Sequence, residues 1–121
     1  MAVLGSAEAA GHDVVAVLGD ARRRGWLHRD PVRRRATGWV ERGDAAEAAA
    51  LLGGADLLLV ADFGRMLHED WTTTPRLGAI NVHWSLLPRH RGPVPHTGAV
   101  LAGDRQSGVT FHGLVRRADA G

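Results

Sequence analysis

Asn81-Val-His-Trp-Ser-Leu-Leu-Pro88, entered through Gly78-Ala-Ile and left through Arg91-Gly92, is the stretch whose reading decides the fold. Gly78–His83 reads as a buried strand that stops at a loop rich in Pro and Gly. Side chains alternate along a strand, so positions 81 and 83 face the same side. An amide and an imidazole therefore project together at the end of a strand. The amide can donate to a developing oxyanion and the imidazole can exchange a proton near neutral pH, a pairing suited to attack on a carbonyl carbon. Taken alone, Asn-x-His is more often a structural histidine with a satisfied hydrogen bond, and the surrounding sequence has to supply the weight.

Upstream, Asp56-Leu-Leu-Leu-Val-Ala61 is a continuous apolar run after a Gly break, the pattern of a strand covered on both faces. Asp44–Leu52 predicts a helix with Asp44 as N-cap, Glu47 at the capping-box position and Gly53-Gly54 as its stop. Val3–Gly11 reads as a helix and Asp13–Leu18 as a short buried strand. Downstream, Pro95–Ala102 predicts a short helix packed by Val100 and Leu101, and Gly108–Val115 a closing strand. Strands alternating with helices predict an α/β sheet, in which ligands bind beyond the carboxyl ends of the strands.

The 121 residues are 45% hydrophobic and 23% charged, the balance of one ordinary folded domain over 1–121. Zero cysteines exclude disulfide frameworks, thiolate zinc sites and thiol nucleophiles, leaving seven histidines as the informative titratable pool. No stretch reaches the ~20 apolar residues of a membrane span, and the start lacks the pattern of a secretory signal, so the expectation is a cytoplasmic protein without a membrane partner. No HExxH or comparable ligand spacing is present, and no metal is expected. Every basic residue is arginine. Residues 21–42 hold eight arginines against Asp30 and Glu41, net +6, whereas the rest of the chain is net −4. With Gly25, Pro31 and Gly38 inside it, the segment to Gly43 reads mainly as loop, with a helical turn at 31–36; such a run is a solvated loop more often than a nucleic-acid contact.

Gly78-Ala-Ile-Asn-Val-His-Trp-Ser-Leu-Leu-Pro-Arg-His-Arg-Gly92 resembles the signature of the folate-dependent formyltransferases, N-x-H-x-S-L-L-P-x-x-[RK]-G, at every defined position. That family, which includes methionyl-tRNA, glycinamide ribonucleotide and sugar-amine formyltransferases, places a third catalytic residue in a D-x-G turn after a G-x-T strand. Gly108-Val-Thr110 and Asp119-Ala-Gly121 match it, with Asp119 36 residues beyond His83. The resemblance implies a Rossmann-like, mostly parallel sheet with flanking helices and 10-formyltetrahydrofolate as formyl donor. It implies Asn81 as oxyanion donor, His83 as general acid/base and Asp119 as support of the imidazole. Two loops of the family's folate pocket map onto 62–67 and 115–119, so Arg65, Met66, Leu67, Val115, Arg116, Arg117 and Ala118 are expected to contact the donor. His112 sits where the family often has a histidine, in a structural or a catalytic role. His12, His28, His68, His90 and His96 have no assigned partner.

Against the family pattern, Met1 falls inside what resembles the first helix, and the chain ends directly after Asp119. The sequence thus reads as an internal portion of the domain, lacking the first strand and the C-terminal elements, and inactive alone. An oligomer is one way to cover the strand edges such a gap exposes. Arg91-Gly-Pro-Val-Pro95 differs from the R-G-A-A-P usual in tRNA-directed members, which favours a small-molecule amine such as an amino sugar or amino-acid derivative as acceptor. The alternatives are a methionyl-tRNA formyltransferase-type domain, whose nucleic acid would meet segment 21–42, and a non-catalytic folate-binding fragment.

Overall fold

In the computed structural model the strand carrying Asn81 and His83, β4 (Ala79–His83), lies between β3 (Leu58–Ala61) and β5 (Thr110–Gly113). Residues 2–19, 39–41, 45–63 and 66–121 are described. They divide into two compact units, residues 1–55 and 56–121.

In the first unit, α1 (Ala2–Ala9) precedes β1 (Val17–Gly19), which pairs in parallel with β2 (Trp39–Glu41). The strand expected over 13–18 starts four residues later, because its partner offers only three residues to pair with. Trp39–Glu41 falls in the stretch expected to be mainly loop; the remainder of that arginine-rich segment, including the turn expected at 31–36, lies outside the described residues. Helix α2 (Ala45–Gly53) follows as the capping pattern implies, with Ala48 and Leu52 buried. Its expected N-cap, Asp44, also lies outside the described residues.

In the second unit, β3 pairs in parallel with β4, and β5 runs antiparallel on the other side. Val60, Ala79 and Val82 are buried in this sheet. The five-residue helix α3 (Glu69–Thr73), unforeseen because it is too short for an apolar period and two of its five residues are β-branched threonines, leads into the turn before β4. Gly78 adopts φ +77 there, a left-handed conformation that suits glycine, and its carbonyl accepts from the Leu58 amide at 3.1 Å, which sets the β3–β4 register. Helix α4 (Pro95–Leu101) forms with Pro95 at its start, where the missing N–H costs nothing. Its inward face is Pro95 and Ala99, not the expected Val100 and Leu101, which are 78% and 83% exposed. A seven-residue helix turns only a narrow stripe inward, and Gly98 and Ala99 are the small residues that permit close approach. Among the described residues no helix is long and apolar enough to cross a membrane.

This packing predicts unequal costs for two apolar truncations. Val82→Ala, at 3% exposure in the central strand, should lower unfolding stability by about 2 kcal/mol. Leu101→Ser should change it by no more than about 0.5 kcal/mol. Denaturant titration of both variants checks the order, and equal losses would mean that the Leu101 face is covered.

Candidate active site

Antiparallel pairing sets Asn81 opposite His112 and His83 opposite Thr110, so two neighbouring strands turn four polar side chains to one face of the sheet. Asp119 joins them from the turn after β5, in a left-handed conformation with φ +52. His83 is 5% exposed and His112 6%, so the constellation is largely removed from water.

Backbone carbonyls only accept hydrogen bonds, and that fixes the protons on both rings. His83 Nε2 lies 3.0 Å from the His90 carbonyl and must donate to it. In the neutral ring, Nδ1 then carries the lone pair, and it stands 3.4 Å from Asp119 Oδ1. His112 Nδ1 donates to the Gly113 carbonyl at 3.0 Å, which leaves Nε2 as an acceptor. That atom takes a hydrogen bond from Asn81 Nδ2 at 3.2 Å, which orients the amide and leaves its second N–H to donate elsewhere. His112 thereby positions Asn81, and Asp119 Oδ1 lies 3.7 Å from its Nε2.

The loop after β4 builds the other half of the support. Ser85, fully buried, donates to the Arg89 carbonyl at 2.7 Å, and its own carbonyl accepts from Thr110 Oγ1 at 2.8 Å. The same Thr110 oxygen accepts the Leu87 amide at 3.1 Å. His90 takes φ +53, uncommon for a residue with a side chain, and this aims its carbonyl at His83. Its ring is held from the far side: Nε2 donates to Asp104 Oδ2 at 2.7 Å, and Arg89 donates to Oδ1 of the same carboxylate at 2.6 Å. A Cβ on Gly98 would come within 2.9 Å of the His90 ring, so that ring position requires glycine there. Gly92, at φ +108, donates its amide to Asp119 Oδ2 at 2.8 Å.

Asn81, His83 and Asp119 are thus brought together, and His112 is joined to them in a structural hydrogen bond. Sequence reasoning left His90 without a partner and passed over Asp104; both hold the loop, and while His90 lies two residues beyond the Asn81–Pro88 stretch, Asp104 carries no local sequence signal. Of the expected donor-contacting residues, those described form no hydrogen bond or ion pair with this group. Met66 is 75% exposed, Leu67 is half-buried, and Val115, Arg116, Arg117 and Ala118 are exposed on the turn leading to Asp119. Arg65 lies outside the described residues.

Residues 7–121 match the family described as formyl transferase. A methionyl-tRNA formyltransferase of Acidiphilium cryptum (strain JF-5) is 40% identical over 126 residues, which cover 93% of this chain and 42% of that protein. One of Staphylococcus epidermidis (strain ATCC 12228 / FDA PCI 1200) is 43% identical over 79 residues, covering 64% of this chain and 26% of the relative. The chain therefore spans less than half the length of these relatives. Among solved structures, phosphoribosylglycinamide formyltransferase from Streptococcus pneumoniae TIGR4 superposes with a TM-score of 0.73 at 24% identity, over 93% of this chain and 68% of that one. The likeness shows a shared Rossmann-like α/β fold.

The His90 ring donating to Asp104 holds that carboxyl below its ordinary value of 3.8, helped by the charges of Arg89 and His90 and opposed by desolvation. A depressed carboxylate stabilises the fold above its unfolded value, and that contribution is lost as pH falls through the folded value. Asp104→Asn should therefore unfold more readily than the parent at neutral pH, with the difference shrinking as pH is lowered below about 4. Thermal melts of the two proteins across pH 2–7 read this directly, and a difference independent of pH would remove Asp104 from the acid limb.

Proposed function

The chain belongs to the formyl transferase family, folate-dependent enzymes whose formyl donor is 10-formyltetrahydrofolate, and from that premise we propose that it moves the formyl group from this donor to a primary amine by direct attack. The observation that carries the reading is the assignment of hydrogens in the site: an amide N–H left to donate at Asn81 and a lone pair at His83 Nδ1, on one face of the sheet. The bound donor would supply an electrophilic formyl carbon. Asn81 would donate to the formyl oxygen as negative charge gathers on it. His83 Nδ1 would take the proton lost by the attacking amine and return it to the departing folate nitrogen, while Asp119 stabilises the ring when it is charged. The products are the N-formyl amine and tetrahydrofolate. Atoms and protons balance with no covalent enzyme intermediate, which agrees with the absence of cysteine.

For the acceptor, Arg91-Gly-Pro-Val-Pro95 supports a small amine, an amino sugar or amino-acid derivative. A methionyl-tRNA acceptor is the second reading. It is favoured by relatives of that name at 40% and 43% identity and by the net +6 of residues 21–42. Binding to tRNA through those arginines would weaken steeply with salt, and a preference for initiator tRNA would decide for it.

The proposal is tested in a longer protein that carries these residues together with the first strand and C-terminal elements of the domain, by supplying 10-formyltetrahydrofolate with a panel of amines and following tetrahydrofolate release. His83→Ala should lower turnover by ~10²–10⁴-fold and Asn81→Ala by roughly 10²–10³-fold, with folding retained. Full turnover in the His83 variant would overturn the assignment.

A further inference from the structure

We propose that His83 Nδ1, His112 Nε2 and the Asp119 carboxylate form a binding site for a divalent transition metal of the zinc class. These three ligand-type atoms lie within 4.8 Å of one another, on two strands and a turn, an arrangement that spacing along the chain does not disclose. Two imidazoles and a carboxylate are a donor set that Zn²⁺ accepts readily.

Three features go beyond mere proximity. Each ring donates its outer N–H to a backbone carbonyl, His83 to His90 and His112 to Gly113, both at 3.0 Å. This is the support that metal-ligating histidines characteristically have, because it fixes the tautomer and turns the lone pair inward. Second, neither neutral ring has to lose a proton to bind, so the site meets a cation as it stands. Third, two of the separations, 3.4 Å from Asp119 Oδ1 to His83 Nδ1 and 3.7 Å to His112 Nε2, are close to requirement, and the two ring nitrogens, within 4.8 Å of each other, close on the ion as it binds. Tetrahedral zinc with bonds of ~2.0–2.1 Å sets neighbouring ligand atoms about 3.3 Å apart. The remaining coordination positions would go to water. Binding displaces one contact, the hydrogen bond from Asn81 Nδ2 to His112 Nε2.

The metal thus takes both the basic lone pair of His83 and the group that orients Asn81. Occupancy and formyl transfer would exclude each other, a consequence that rests on the function proposed above, whereas the binding itself does not.

The test needs neither folate nor turnover. The purified chain is titrated with Zn²⁺ by calorimetry and with Co²⁺ by visible absorption, alongside His112→Asn and Asp119→Asn whose folding is checked by circular dichroism. The expected result is one equivalent bound and a Co²⁺ absorption band, with affinity falling by at least ~100-fold in either variant, since loss of even an outer-sphere partner costs 10–100-fold. Unaltered affinity in folded variants would overturn the proposal. Should a variant not fold, paramagnetic broadening by Co²⁺ in the parent decides. The ring protons of His83 and His112 should broaden first; earlier broadening at exposed His68, which sits 3.2 Å from Asp70, or no binding, would refute the site.

Discussion

Two backbone carbonyls, those of His90 and Gly113, determine what the buried histidines can do. Each takes an N–H from a ring whose other nitrogen faces the interior of the site, so each ring has its tautomer set by a group that can only accept. From that constraint follow the acceptor character of His112 Nε2, the orientation of the Asn81 amide and the inward lone pair of His83 Nδ1. Were either carbonyl turned away, the same side chains at the same positions would present other hydrogens.

Much of the surrounding structure serves to hold those carbonyls. The Gly113 carbonyl is fixed by the strand itself, since β5 is locked to β4 over four residue pairs. The His90 carbonyl has no strand to hold it and depends on the loop. Ser85 and Thr110 tie the start of the loop to β5, Asp104 grips the His90 ring and Arg89 from outside, and Gly98 leaves room for that ring. Burial raises the stakes, because an unpaired polar group at this depth costs about 1–3 kcal/mol. Gly92 closes the circuit by fixing the second oxygen of Asp119.

The apolar runs at 56–61 and 78–83 were legible as strands because a glycine break precedes or opens each and apolar residues fill most of both, but the cover on both faces expected of the first is absent: Val60 is buried while Leu57 and Leu59 are 39% and 38% exposed, since only one face of β3 packs inward. Helix 45–53 was legible from its alanines and its glycine stop. What the sequence hid is what depends on partners. The three residues of β2 carry no pattern of their own amid glycines and arginines. Which face of α4 turns inward is decided by the loop beneath it, and hydrophobicity at Val100 and Leu101 pointed the wrong way. In the site, Asn81 and His83 were visible from alternation, and Asp119 through the family motif. The link from Asn81 to His112 needs the antiparallel register of two strands 27 residues apart, from the end of β4 at 83 to the start of β5 at 110. No local spacing encodes that register. His90 and Asp104 were hidden for a related reason, since a carbonyl's role leaves no trace in residue type.

The central claim concerns hydrogens, and long-range ¹H–¹⁵N correlation spectra of the histidine rings observe them. Recorded at a pH where both rings are neutral, they should show His83 protonated at Nε2 and His112 protonated at Nδ1. The opposite tautomer at either ring, or a rapidly averaging mixture, would contradict the account.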